Sequence, residues 1–153
     1  MHQLTHFDLS DPDRIDPARP HAFPWVRWAM KGSHFKLLHA DPASGRFTLL
    51  IRIAPNVEAP RHRHIGAVEG YILEGSFYYR DEPQRRYTAG SYLHEEAGSV
   101  HHPVSPEGAL MLAVFHGPIE GLNDEDNVTG RVDCAWHVDV WRAACEAGAA
   151  AAK

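Results

Sequence analysis

Residues 62–75 read HRHIGAVEGYILEG, and the two histidines that open this stretch decide how the rest of the chain is interpreted. His62 and His64 are two residues apart, and side chains on an extended strand repeat every two residues, so both imidazoles point to the same face. Two imidazoles on one face can bind one metal ion. A third histidine, His101, follows a second glycine-marked turn. The pattern predicts a metal site formed by these three histidines inside a small β-barrel.

The composition is that of one globular domain. The chain has 153 residues, of which 44% are hydrophobic and 23% are charged. The formal net charge of −5 provides no basic surface for nucleic acid or anionic membranes, and no apolar run approaches the roughly 20 residues that span a bilayer. The first residues lack a signal-peptide pattern, and two cysteines are too few for a secreted disulfide scaffold. We therefore expect a cytoplasmic protein without nucleic-acid or membrane partners.

Three regions of the chain differ in pattern. Residues 1–24 are rich in Asp and Pro, which predicts an irregular N-terminal arm. Residues 25–117 contain short apolar runs with glycine and proline punctuation, which is typical of an all-β sandwich or barrel. Residues 118–153 begin as an acidic, turn-rich segment and end in a short helix, packed on the barrel, that we expect to start at Asp139.

Alternation of apolar and polar residues predicts the individual strands. Residues 47–53 alternate and form one predicted strand. Residues 69–73 form another, which stops at Gly75, and residues 77–80 return from that turn as its hairpin partner. Further strands are predicted at residues 34–39, 85–88, 91–94 and 109–116.

The histidine pair and its surroundings resemble the first sequence motif of the cupin superfamily. In this chain the motif comprises His62, His64, Glu69 and Gly75, with Asn56 in place of the leading glycine. Asparagine also tolerates turn conformations, so the replacement is conservative for the backbone.

A later stretch resembles the second cupin motif. It retains Gly90, Gly98 and His101, whereas Glu96 replaces a proline and Ser105 replaces an asparagine. Both motifs occur in order and at the expected separation. The resemblance implies an all-β fold, a double-stranded β-helix or jelly-roll barrel. It also implies a divalent metal bound by His62, His64 and His101, with the adjacent His102 facing outward.

The resemblance leaves the carboxylate ligand of the first motif open. Counted forward from His64, that position falls on Glu69, whereas counted back from the closing glycine it falls on Val68. Strand alternation allows only one of the two to face the metal. We favour the site with three histidines over the site with Glu69 as a fourth ligand. In that case Glu69 is expected on the exterior, paired with an arginine such as Arg61 or Arg63.

Two further charged residues are candidates for the surroundings of the metal. We expect Arg80 and Glu95 to pair there, because an unpaired buried charge is costly. Such a pair would hold a polar substrate or orient a ligand histidine. The alternative places both side chains in solvent at the barrel rim. The residues expected to line the substrate pocket are Tyr71, Phe77, Met111 and Phe115.

A closer resemblance joins the chain to small diketone-cleaving cupins, the acetylacetone-cleaving and 2,4′-dihydroxyacetophenone dioxygenases. The residues that carry it lie at 61–66, 70–77, 98–101 and 117–122. It implies Fe(II) held by three histidines and O2-dependent cleavage of a carbon–carbon bond in a β-diketone or hydroxyketone. Zinc, nickel or manganese would fit the same ligands. The alternative is a zinc-binding cupin that acts as a sensor or binding module without oxygenase activity. A homodimer or homotetramer is the expected assembly.

Overall fold

The structure, a computed structural model, describes residues 24–151, so the arm expected at residues 1–24 lies almost entirely outside the described residues. Within this range the chain forms strands followed by a C-terminal helix, α1 (Cys134–Ala151). The strands are β1 (Val26–Arg27), β2 (Ser33–Asp41), β3 (Arg46–Ile53), β4 (Val57–Glu58), β5 (His62–His64), β6 (Val68–Tyr79), β7 (Tyr87–Thr88), β8 (Tyr92–Glu95), β9 (Val100–His101), β10 (Pro103–Ser105), β11 (Ala109–Phe115), β12 (Ile119–Leu122) and β13 (Val128–Val132). No helix of residues 24–151 has the length and apolar character needed to cross a membrane.

The described strands form two antiparallel sheets. The larger sheet has the order β1–β2–β3–β11–β6–β10–β4, and β7 and β8 also pair with β6. The smaller sheet has the order β13–β12–β5–β9. Strands that are distant in the sequence therefore lie side by side, as in a jelly roll. The curled sheets and the C-terminal helix confirm the predicted fold class.

The inner face of the larger sheet supplies most of the hydrophobic core. On β3, Phe47, Leu49 and Ile51 are buried, whereas Arg52 is exposed. The neighbouring strand β2 places buried Leu37 opposite Leu49, so the alternation continues across the sheet. Each large apolar side chain buried in this way contributes about 1.5–3 kcal/mol to folding.

Strand β6 corrects the hairpin that the sequence predicted at Gly75. The strand runs without interruption from Val68 to Tyr79, and the register with β11 shifts between Leu110 and Met111. Gly75 has a φ of 73°, and a Cβ atom there would overlap the backbone of the neighbouring chain segment. The glycine therefore permits a bulge and a close backbone approach within one long strand, where we expected a turn.

The acidic segment after residue 117 contains strands, although its composition predicted turns. Residues 119–122 and 128–132 form β12 and β13, and β12 pairs directly with β5. One acidic side chain of β12 stabilises this pairing, because Glu120 Oε2 lies 2.6 Å from Nη2 of Arg63. The segment is thus part of the smaller sheet.

Helix α1 also begins earlier than predicted. The backbone N–H of Trp136 donates a hydrogen bond to Oδ1 of Asp133 at 2.9 Å, which makes Asp133 the N-terminal cap. The helix therefore starts at Cys134, and Asp139, its predicted start, lies within it. The cap is Asp133, six residues before the predicted helix start.

His137 attaches the helix to the larger sheet. It is fully buried, and its ring stacks on Phe47 with 4.2 Å between centroids. Trp28 Nε1–H donates to His137 Nε2 at 2.9 Å, so the imidazole N–H is on Nδ1, which lies 2.6 Å from the carbonyl oxygen of Asp133. Burial lowers the pKa of His137 to about 4, although the carbonyl and carboxylate of Asp133 oppose this shift. The neutral ring is thus the form that the fold accommodates.

We predict that His137 makes the fold sensitive to mild acid. Its pKa is lowered in the folded chain from 6.5 to about 4, so its contribution is fully present above pH 6.5 and is lost as the pH falls towards 4. A pKa shift of this size corresponds to a change of about 3 kcal/mol in the free energy of unfolding. Urea unfolding should show that His137→Gln, which can still accept from Trp28 but does not titrate, loses less unfolding free energy on acidification than the wild type. Equal losses in the two proteins would contradict the prediction.

Candidate metal centre

Strands β5 and β9 bring the three predicted histidines together. His62 and His101 are directly paired across these strands, and His64 follows on the same face of β5 as His62. The ring centroids of His62 and His64 are 4.9 Å apart, and those of His64 and His101 are 5.6 Å apart. The remaining pair, His62 and His101, is separated by 6.4 Å. The three imidazoles therefore form one cluster, as their spacing predicted.

A carboxylate from strand β8 completes the cluster. Glu95 is buried, and its Oε2 lies 2.8 Å from Nε2 of His64. Its Oε1 lies 4.0 Å from Nε2 of His101 and accepts a hydrogen bond from the phenol of Tyr79. Among residues 24–151, donor atoms of His64, Glu95 and His101 all lie within 4.8 Å of one another, as a metal site requires.

Glu95 occupies this place without the arginine that the sequence led us to expect. The side chain of Arg80 is 64% exposed, and its Nη1 lies 2.5 Å from Oε1 of Glu58. His102 also contacts Glu58, with its Nε2 2.9 Å from Oε1. The predicted Arg80–Glu95 pair is thus wrong, because Arg80 lies beyond the bulge of β6 on the outer face. Glu95 itself lies beside His64 and His101.

The first motif's open position is resolved by the register of β6. Val68 is 4% exposed, which places it on the inner face. Glu69, offered as a fourth ligand, is on the opposite face with 46% of its side chain exposed. There it accepts a hydrogen bond from the Tyr92 hydroxyl at 2.9 Å, and its Oε2 lies 3.3 Å from Nε2 of His116. The structure does not bring Glu69 to the histidines.

The expected arginine partners of Glu69 have other contacts. Arg61 forms an ion pair with Asp126, and Arg63 forms one with Glu120. Both acids belong to the segment after residue 117, which had been predicted as turns. The pairing of Glu69 with Arg61 or Arg63 is therefore wrong.

The electrostatic environment favours neutral imidazoles at His62 and His101 and an ionised carboxylate at Glu95. Burial lowers the pKa of His62 to about 4, assisted by the charge of His64, and burial also lowers the pKa of His101. Burial alone would raise the pKa of Glu95, but the hydrogen bond and charge of His64 outweigh it and lower the pKa to about 2. Burial raises the pKa of Tyr79 well above its usual range, so its phenol stays a hydrogen-bond donor.

These donors fit a divalent transition metal. Nδ1 of His62 lies 2.9 Å from the carbonyl oxygen of Pro60, and donation to this carbonyl leaves Nε2 with its lone pair. Nδ1 of His64 is buried and has no hydrogen-bond partner in the described structure. Nε2 of His101 lies 2.8 Å from Oγ of Ser99, the residue that directly precedes β9. Imidazole nitrogens with one carboxylate oxygen are suitable ligands for zinc, iron, nickel or manganese.

A cavity of about 440 Å³ adjoins His62, His64 and Glu95. Phe77, Met111 and Phe115, three of the four residues expected in the substrate pocket, line it. Tyr71, the fourth, is 45% exposed on the outer face and does not belong to the lining. Further lining residues that sequence reasoning missed include Trp28, Met30, Ile51, Leu93, Ala113, Thr129, Arg131 and Trp136.

Tyr79, which the sequence also placed in the interior, owes its inward orientation to the bulge of β6. Tyr71 and Phe77 were both expected in the pocket, and an unbroken strand would place them on one face with Tyr79. Before the bulge the even-numbered residues of β6 face inward, and after it the odd-numbered residues do. Phe77 and Tyr79 therefore face inward, whereas Tyr71 faces outward. Gly75 was the available signal, but it was interpreted as a turn.

We predict that the clustered histidines, and not histidine content in general, bind the metal. His62→Ala and His101→Ala should each weaken Zn(II) binding by more than about 100-fold, which exceeds the effect of losing a supporting hydrogen bond. His94→Ala is the matched control, because this histidine is exposed on the outer face of β8. Isothermal titration calorimetry at neutral pH measures the Zn(II) affinities of the three variants and of the wild type. A wild-type affinity in His101→Ala would contradict the predicted site.

Comparison with known proteins agrees with the jelly-roll geometry. The family model described as the ChrR cupin-like domain matches residues 16–120. An RmlC-like cupin protein from Ralstonia eutropha is 27% identical, with a TM-score of 0.78 over 83% of this chain and 84% of that chain. A second protein from Ralstonia eutropha, of unknown function and with a cupin-like fold, is 26% identical, with a TM-score of 0.72 over 92% of this chain and 85% of that chain.

One similar structure carries the name of an enzyme. It is an acetylacetone dioxygenase from Acinetobacter johnsonii, 21% identical, with a TM-score of 0.70 over 94% of this chain and 95% of that chain. At this level of identity the similarity concerns the fold. No match is found among curated proteins.

Proposed function

We propose that this chain, which belongs to the ChrR-like cupins, is a non-haem Fe(II) dioxygenase that cleaves a carbon–carbon bond of a β-diketone or hydroxyketone. The observation that carries the proposal is the cluster of three histidines and one carboxylate beside an apolar cavity. The fold shared with an acetylacetone dioxygenase supports it.

The cluster provides the positions that such a reaction needs. The lowered pKa values of His62 and His101 keep these imidazoles neutral at pH 7, so their lone pairs are available to a metal. Iron bound there would supply a Lewis acid for the carbonyl oxygens of the substrate and a reaction partner for O2. Tyr79 remains protonated and holds Glu95 towards His64, which fixes the orientation of that imidazole.

The cavity determines how a substrate would be held. Phe77, Leu93, Met111 and Phe115 are apolar and would exclude water from the ends of the carbonyl compound next to the histidines. Arg131 also lines the cavity, and 53% of its side chain is exposed. A volume of about 440 Å³ exceeds the needs of a small dicarbonyl, so we expect substrates with an apolar arm.

Oxygen consumption tests the proposed reaction. The chain loaded anaerobically with Fe(II) should consume one O2 for each molecule cleaved when supplied with aryl or alkyl β-diketones or hydroxyacetophenones. Because a dioxygenase breaks one carbon–carbon bond and places both oxygen atoms in the products, 18O2 should label both products. The zinc-loaded chain, which has the same ligands without redox chemistry, is the control. Absence of oxygen uptake with the whole panel would contradict the proposal.

Tryptophan fluorescence tests the substrate's position separately from turnover. Trp136 lines the cavity, whereas Trp25 does not, so an aryl β-diketone in the cavity should quench the emission of Trp136. We predict that Trp136→Phe loses part of the quenching seen in the wild type and that Trp25→Phe retains it. Zinc-loaded protein keeps the ligand intact during the titration. Identical quenching in both variants would place the ligand elsewhere.

A zinc-binding module is the second candidate function. Ligand atoms of His64, His101 and Glu95 lie within 4.8 Å of one another, and the adjacent ring of His62 would supply a fourth ligand, the number found in closed structural zinc sites, which favours this reading. Such a module would bind zinc at full occupancy and show no oxygen uptake after iron loading. The metal content of protein purified without chelators, combined with the oxygen assay, distinguishes the two functions.

The carbonyl substrate, O2 and the homodimer or homotetramer stay predictions. Exposed apolar side chains in the larger sheet support self-association, because Tyr71 on β6 lies opposite Leu112 on β11 and Tyr92 on β8.

A further inference from the structure

We propose that Gly121 on β12 and Gly130 on β13 form the groove through which a ligand enters the cavity beside His62, and that position 130 sets the width of the ligand that passes. The proposal rests on the cavity of the proposed function and deepens it. It specifies the substrates as carbonyl compounds whose arm is planar or unbranched.

A row of paired residues leads from the histidine cluster to the edge of the smaller sheet. His62 on β5 is the direct partner of Gly121, which in turn is the direct partner of Gly130. Directly opposite residues project from the same face of a sheet, so Cβ atoms at both glycines would point to the side of the cavity, as His62 does. The row crosses two strand spacings, or about 9–10 Å. Over this distance the inner face of the sheet is bare backbone.

The neighbouring row of the same face has the opposite character. It runs from His64 through Ile119 to Val132, and the two aliphatic side chains pack in or against the hydrophobic core. Ile119 is only 8% exposed. Branched apolar side chains therefore cover the sheet directly beside the row that the two glycines leave open.

The glycine row opens to solvent at its outer end. Gly130 is exposed, whereas Gly121 and His62 are half-buried. In the described part of the chain β13 pairs with β12 alone, and Thr129, Gly130 and Arg131 all line the cavity. A Cβ atom at Gly130 would have no other described atom within 4 Å. Gly130 thus lies where the cavity meets solvent.

The cavity at the inner end of the row contains an unsatisfied polar group. His64 lines the cavity and is 3% exposed, and its Nδ1 has no hydrogen-bond partner among the described residues. A buried polar atom without a partner is costly, which indicates a site that a bound group completes. A groove that joins solvent to such a site is therefore an entry path, and not merely a gap in the packing.

The shape of the groove indicates which ligands it admits. Glycine lets a ligand approach the backbone closely, so a planar aryl group or an unbranched chain can lie along the row. A branched arm needs the width that Ile119 and Val132 occupy in the next row. An arm that starts at His62 extends about 9–10 Å before it reaches solvent at Gly130. We therefore expect long, flat or unbranched arms to be accepted.

Thiol accessibility tests the entry path without metal or turnover. Ala113 is 2% exposed and lines the cavity, so Ala113→Cys places a thiol inside it. With Cys134→Ser and Cys145→Ser, this thiol is the only one in the chain. We expect Gly130→Trp to slow its modification by benzyl methanethiosulfonate at least about 10-fold, because the reagent has to pass an indole in the groove. The smaller methyl methanethiosulfonate should be slowed less.

Val128→Trp is the matched control for the thiol experiment, because Val128 is exposed on the same strand and does not belong to the cavity lining. It should leave both modification rates unchanged. Gly130→Val is the milder variant, since its Cβ has free space and the backbone φ lies outside the left-handed region. It should slow the benzyl reagent to an intermediate extent. Equal rates in Gly130→Trp and Val128→Trp, or a wild-type rate in Gly130→Val if the tryptophan variant does not fold, would overturn the proposal.

Ligand selectivity tests the substrate class on the same variants. In zinc-loaded protein, Gly130→Trp should raise the Kd of a phenyl-substituted β-diketone at least about 10-fold and that of acetylacetone, which has no arm, less than about 3-fold. Equal increases for the two ligands would overturn the assigned substrate class. If Gly130→Trp blocks thiol modification but the wild type binds neither diketone and consumes no oxygen, the groove is supported and the dioxygenase alone is refuted.

Discussion

Strand β6 provides the constraint on which the site depends, because it pairs with β11, β8, β7 and β10. A strand fixed on both sides cannot slip by one residue without exchanging its inner and outer side chains. The bulge near Gly75 exchanges the inner and outer positions within the strand itself. Val68 and Ile72 face inward before the bulge, and Phe77 and Tyr79 face inward after it. Without the bulge, the phenol that holds Glu95 would point to solvent.

The sequence predicted the parts of the site that depend on local spacing. His62 and His64 share a face because of strand geometry, and motif position selected His101 from an adjacent pair. Glu95, predicted to lie near the metal, contacts His64 and not the predicted partner Arg80, since its contacts depend on the register between β6 and β8. That register is not encoded in the spacing of either segment.

Errors in the predicted fold have similar causes. A glycine at positive φ is compatible with both a turn and a bulge, and only the neighbouring strand β11 decides between them at Gly75. Acidic composition suggested turns after residue 117, yet Glu120 contacts Arg63 and Arg131, and Asp126 pairs with Arg61. These acids pair with the two arginines that flank the histidines, which reduces the repulsion between these cationic side chains and a metal cation.

The hydrogen bond between Trp28 and His137 joins residues that are 109 positions apart in the sequence. Trp28 and Trp136, the residue before His137, both line the cavity. The cavity is therefore enclosed by segments from opposite ends of the described chain. Because α1 follows every strand, the last element of the described chain supplies one side of the chamber. Completion of the chamber thus depends on a long-range contact, and a ligand that fills it would favour the docked helix by mass action.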